Sequence, residues 1–186
     1  KKGISYVTRR IRIYPTQKQK EYFKKCMDTS RYMYNRGIEY VNNLIKGRED
    51  KIGEAVKKGC IYNKSGKQCC ENIAEGNKYF CQIHRGEEYD GERWKAYGIN
   101  VSFLNIRKNV LKSDSDLTQD DMWLKEIPYD TRQLILKDVE DAYGSAMSNM
   151  MAGNIDHFKL GYKKKGDRDK LFHIDKLAIT KDLKIF

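Results

Sequence analysis

Four of the five cysteines fall in one short stretch, followed at once by a histidine, and that spacing is the strongest chemical signal in the sequence. Cys60, Cys69, Cys70, Cys81 and His84 run in the order C-x8-C-C-x10-C-x2-H. Zinc asks for four soft or borderline ligands in a tetrahedron, at about 2.0 to 2.3 Å. Cys81 and His84 offer two from a tight turn, and Cys60 with either Cys69 or Cys70 offers the other two. Ser65-Gly66-Lys67-Gln68 turns directly into Cys69, so the favoured set is Cys60, Cys69, Cys81 and His84, with Cys70 the alternative third ligand. Four protein ligands close the coordination sphere, which makes the zinc structural rather than catalytic. An insert of about 25 residues has too little apolar surface to fold by itself, and a metal supplies what the core does not. An odd cysteine count, with no secretory h-region at the start, argues against a disulfide framework.

Elsewhere no complete catalytic constellation is present. Besides His84 there are only His157 and His173, and no P-loop, G-x-G-x-x-G or H-E-x-x-H occurs. Asp114, Asp116, Asp120 and Asp121 form an acidic loop, but without the regular ligand spacing of a calcium loop they read as helix capping and solvated charge.

The chain has 186 residues and a net charge of +11, unevenly spread. Residues 1–60 carry +10, 61–100 balance, 101–156 carry −4 and 157–186 carry +5. Two basic ends around a neutral middle suggest a polyanion site assembled from both, with affinity that falls steeply with salt. No apolar run approaches the roughly 18 residues of a membrane span, so no membrane partner is expected. Lys1 in place of Met, and an extended pattern still running at Phe186, read as the ends of an excerpt from a longer protein.

The elements that must position these residues follow from periodicity. Ile4, Tyr6, Ile11 and Ile13 alternate with Arg10 and Arg12, which predicts a strand ended by Pro15. Thr16 with Gln19 is a capping box, and apolar residues from Tyr22 to Ile45 recur at three- and four-residue spacing, predicting a helix to about Lys46. Lys20, Lys24, Arg31 and Asn35 line up beside that stripe. Residues 47–100 lose periodicity and read as an insertion. Val101 to Leu111 is helical, Thr118 caps a short turn through Trp123, and a second long helix follows Pro128, capped by Asp130 and ended by Gly153. Phe158, Leu160 and Tyr162 alternate, residues 163–169 make a basic turn, and Phe172 and Ile174 resume alternation, predicting two or three closing strands.

Four segments in order resemble the N-terminal half of the TnpB and Fanzor family of transposon-encoded, RNA-guided DNA endonucleases. They are Arg12-Ile13-Tyr14-Pro15-Thr16 with Gln19, Arg31-Tyr32-Met33-Tyr34-Asn35, Ile127-Pro128-Tyr129-Asp130-x-Arg132, and Phe158-Lys159-Leu160-Gly161-Tyr162-Lys163-Lys164-Lys165. The cysteine insert departs from the family's usual zinc position and fits Fanzor-like members of eukaryotes and their large viruses better than bacterial TnpB. The resemblance implies an α+β architecture: a small wedge-type β-barrel from the first strand (residues 1–15) and later strands (157–186), a helical recognition lobe (16–156), and a zinc-binding insert at about 58–86. It implies a guide RNA and target double-stranded DNA as partners, and a nuclear location for a eukaryotic or viral member or a cytoplasmic one for a bacterial member. A RuvC-like nuclease domain with Mg²⁺ held by three carboxylates would follow, and this chain stops before it. Arg10, Arg12, Lys24, Arg31, Lys159, Lys163, Lys164 and Lys165 would then neutralise phosphates, Tyr32 and Asn35 would approach bases or ribose, and Arg132 joins the set through its motif. The expected function is the nucleic-acid-holding half of an RNA-guided nuclease, not catalytic by itself. The alternative is a stand-alone zinc-containing RNA- or DNA-binding module without nuclease activity.

Overall fold

Helix α1 spans Gln17–Lys57 and organises everything packed around it. In this computed structural model, the residues described are 12–57, 63–64, 67–68, 98–155, 157–166 and 171–174. The expected capping box forms: the Thr16 amide donates to Gln19 Oε1 at 2.8 Å, and the Gln19 amide donates to Thr16 Oγ1 at 3.4 Å. These two bonds satisfy donors that a helix start leaves unpaired. Cys26, Thr29, Ser30, Met33, Tyr34, Ile38 and Val41 form one buried stripe. Burial pushes the Cys26 thiol above its ordinary range and Tyr22 beside it up to about 12, so Cys26 is an inert core group. The helix runs eleven residues past the expected end, through Arg48, Glu49, Asp50, Lys51 and Glu54. Residues 47–54 of it are largely exposed and polar, and a charged helix with little to bury leaves no apolar stripe to read.

Strands β1, Asn63–Lys64, and β2, Lys67–Gln68, form an antiparallel hairpin in the register Asn63↔Gln68 and Lys64↔Lys67. Helix α2, Phe103–Val110, starts at Ser102, whose hydroxyl accepts from the Asn105 amide at 3.4 Å. A 3-10 helix, Gln119–Glu126, leads to helix α3, Tyr129–Met151. Pro128 occupies the N-cap of α3, and Asp130, expected there, instead sits in the first turn and accepts from Gln133 Nε2 at 2.7 Å. Gly153, at φ 73°, ends α3 in the left-handed conformation that glycine adopts without strain.

The core joins one face of each helix: Met33, Ile38 and Val41 of α1, Ile106 and Val110 of α2, and Ile135, Leu136 and Val139 of α3. Burying side chains of this size stabilises by about 1.5–3 kcal/mol each. Helices α1 and α3 pack tightly at Gly37, where an added Cβ would lie 2.9 Å from Val139 Cγ2 and 3.2 Å from Leu136 Cδ2.

The wedge-type β-barrel is not what these residues form. The described part is helical, and its only strands are the two-residue pair β1 and β2. Residues 12–16, 157–166 and 171–174 belong to no sheet among the described residues, while 1–11 and 175–186 of the expected strands lie outside them. The reason is visible at Leu160 and Lys163. Asn42 takes both backbone groups of Leu160, donating to its carbonyl at 3.0 Å and accepting from its amide at 3.1 Å. Asn35 does the same to Lys163, at 3.0 and 2.8 Å. The segment spends backbone bonds that a sheet would use on side chains of α1, and it does so every third residue rather than every second. Leu160 enters the core, and Phe158 meets Tyr143 edge to face at 5.8 Å.

Candidate nucleic-acid interface

Cations of this chain divide by what meets them. On one side of α1, the Tyr32 hydroxyl donates to Asp121 Oδ1 at 2.8 Å and accepts from Arg36 Nη1 at 2.9 Å. Lys112 Nζ stands 3.6 Å from Asp121 Oδ2, and the Thr118 hydroxyl donates to the same oxygen at 3.2 Å. The Tyr32 hydroxyl holds the Asp121 carboxyl below the usual carboxylate range against the opposing effect of burial, helped by Thr118 and by the charges of Arg36 and Lys112. Trp123 packs edge-on against Tyr32 at 5.2 Å. Close by, Arg132 is 1% exposed, pairs with Asp114 and lies 5.4 Å over the Tyr129 ring. Its Nε and Nη1 have no hydrogen-bond partner among the described residues, and the cavity between Tyr32, Arg36, Lys112 and Arg132, about 10 Å³, has room for about one water and no more. Of the acidic loop, read from sequence as capping and solvated charge, Asp116 accepts from the Ser113 and Ser115 hydroxyls and Asp120 is exposed, while Asp114 and Asp121 are counter-charge for Arg132 and for Arg36 and Lys112.

The other side presents the 157–166 segment. Lys159, Tyr162, Lys164 and Lys165 are exposed along it. Lys163 turns inward: its ammonium lies 4.1 Å over the Tyr34 ring and 3.9 Å from Asp138 Oδ2. His173 Nε2 reaches the same carboxylate, 3.1 and 3.2 Å from its two oxygens, and Phe172 stacks at 5.6 Å on Phe23. The return of the chain is thereby tied to both α1 and α3.

Each residue singled out in the sequence has a definite place. Arg12 and Lys24 are exposed, and Arg31 is half-buried with its guanidinium 3.2 Å from Asp28. Tyr32 and Arg132 face the inner network, and Asn35 faces the backbone of Lys163. Arg10, Cys60, Cys69, Cys70, Cys81 and His84 lie outside the described residues. Among the described residues no group of three or more histidines, cysteines or carboxylates is placed to hold a metal ion. Sequence reasoning missed Asn42, Asp121 as a buried acceptor, and Asp138. A signal for Asn42 existed, since it follows Asn35 by seven residues on the same edge of the apolar stripe.

Residues 8–50 match the helix-turn-helix domain family HTH_OrfB_IS605. This family is TnpB-associated, and the match agrees with the resemblance read from Arg12 to Asn35 at the level of a TnpB-like transposase domain. Within the matched range, residues 17–50 are one unbroken helix, with Gly37 used for close packing rather than for a turn. The chain is also 24% identical over 163 residues, 88% of its length, to a protein named "Putative transposase A625R" from Paramecium bursaria Chlorella virus 1. It spans 27% of that relative's length. No solved structure matches the chain. Among the described residues no helix is long and apolar enough to cross a membrane.

Proposed function

We propose that this chain is the nucleic-acid-holding portion of a TnpB- or Fanzor-like, RNA-guided transposon endonuclease, and that the 157–166 segment with the exposed start of α1 is its phosphate-contacting surface. The observation that carries this reading is that the helix matched by the helix-turn-helix family is also the helix that holds the basic segment, through Asn35 and Asn42. A relative of viral origin supports the Fanzor-like placement, and coverage of about a quarter of that relative leaves room for a nuclease domain in the rest of such a protein. Arg12, Lys24, Lys159, Lys164 and Lys165 are the contact residues proposed among the described ones, with Arg10 beyond them. Arg132 and Lys163 act instead in holding the surface together.

The zinc site belongs to the same proposal. Hairpin β1–β2 reverses the chain in the interval between Cys60 and Cys69, which is what bringing those two thiolates to one ion requires. Cys60, Cys69, Cys81 and His84 would hold the ion, whose contribution is to fold the insert. Metal analysis of the purified chain is expected to give one zinc, lost together with local order when Cys81 and His84 are replaced. Unchanged metal content in that variant rejects the ligand set.

For the function, the purified chain is titrated with duplex DNA and with a hairpin RNA at graded salt. The expected outcome is an affinity that falls linearly with salt on logarithmic axes. An affinity indifferent to salt rejects a phosphate-contacting role. Sequencing of co-purifying RNA tests the guide: one defined, structured species supports it, and a random sample of cellular RNA removes it.

A further inference from the structure

We infer that Asn35 and Asn42 are positioning residues whose side-chain amides set the register of the 157–166 segment on α1, and so fix where its lysines stand for a phosphodiester backbone. This rests on the nucleic-acid reading above and adds how the surface is held.

An asparagine side chain carries one carbonyl acceptor and one N–H donor pair, the same equipment as a peptide group. Each of these two asparagines uses both ends on a single residue, so that Leu160 and Lys163 are each gripped at amide and carbonyl, with all four bonds between 2.8 and 3.1 Å. The spacing is commensurate. Seven residues of α-helix rise about 10.5 Å, and three residues of extended chain cover about 10 Å. A slip by one residue would break all four bonds together and pull Leu160, 7% exposed, out of the core. Between and beyond the two gripped residues, Lys159, Tyr162, Lys164 and Lys165 remain at the surface. The grip uses neutral groups, so it orders the segment without cancelling its charge. Lys163 adds a third anchor through Tyr34 and Asp138.

The test compares Asn35→Ala, Asn42→Ala and the double variant with Lys164→Glu/Lys165→Glu, all in the 186-residue chain. Amide exchange at Leu160 and Lys163 is followed together with affinity for a 20-base-pair duplex over a range of salt. In Asn35→Ala the Lys163 amide is expected to exchange at least tenfold faster while helical ellipticity is kept, because Asn42 and the buried Leu160 still hold the segment. The double variant is expected to lose about tenfold in affinity, with a salt slope shallower by about one unit although every lysine is present. Asparagine variants that keep affinity and slope while the lysine reversal loses both overturn the positioning role and leave the nucleic-acid reading standing. Loss of affinity with unchanged exchange at Leu160 and Lys163 also overturns it. A parent chain whose binding ignores salt, and a lysine reversal without effect, overturn the reading and this inference together.

Discussion

Two sides of the same helix treat positive charge in opposite ways. Toward the 3-10 helix, Arg36, Lys112 and Arg132 meet Asp121 and Asp114, so that each cation faces a carboxylate of this chain. Toward the closing segment, α1 offers Asn35 and Asn42, neutral groups that hold backbone and leave side chains alone. Asp114 and Asp121 are therefore counter-charge for the inner cluster, while the two asparagines order Leu160 and Lys163 without themselves placing a carboxylate against the segment, where Lys163 pairs with Asp138. A carboxylate in place of either asparagine could still accept from the amide, but would repel the carbonyl and subtract from the field of the lysines. On the proposed reading, neutral clamps suit a surface that meets phosphates through its charge.

The largest effect should come from unbalancing the inner side. Asp114→Ala leaves Arg132 buried without its partner and is expected to cost about 3 kcal/mol, after allowance for the exposure of Asp114, read by chemical denaturation. Arg132→Met fills the same space without a charge and should fall within about 1 kcal/mol of the parent. Equal losses for the two would show that the pair matters for shape rather than charge. Asp121→Asn keeps the outline but weakens its bonds to Tyr32 and Thr118 and its attraction to Arg36 and Lys112, at a cost of about 2 kcal/mol.

The same residue predicts a pH dependence. Because the folded state holds Asp121 below its ordinary value, chiefly through the Tyr32 hydroxyl, the unfolded chain takes up this proton first as pH falls. Its stabilisation is complete above about pH 5 and is lost as pH drops below about 4 through the folded-state value. The melting temperature of the parent should therefore fall more steeply than that of Asp121→Asn between about pH 4 and pH 2, and parallel curves would contradict the assignment. On the outer side, Lys164→Glu/Lys165→Glu should reduce nucleic-acid affinity about tenfold, or about 1.4 kcal/mol, read by titration at fixed salt. Smallest of all, Lys25→Ala removes an exposed surface ion pair with Glu126 and should leave the melting temperature unchanged.

What the sequence made legible was what strong local chemistry dictates. Thr16 and Gln19 start a helix, Gly153 ends one, and the apolar stripe of α1 packs as its spacing implies. The barrel failed because alternation at Phe158, Leu160 and Tyr162 looks the same whether an extended chain pairs with a strand or with asparagines on a helix. Only the partner distinguishes the two, and that partner lies 118 residues away at Asn42. Arg132 was legible as a motif residue but not as a buried one, since its pairing with Asp114 depends on the path of the loop between α2 and the 3-10 helix. The family match was foreshadowed by the residues from Arg12 to Asn35, the same stretch that residues 8–50 of the match cover.

Gly37 stands midway between Gln17 and Lys57, with twenty residues on either side. At 1.5 Å per residue each arm of α1 is about 30 Å long. The close approach to Val139 and Leu136 sits at the middle of a beam that is held from Phe23 to Asn42, so its two outer stretches are overhangs on a fixed centre.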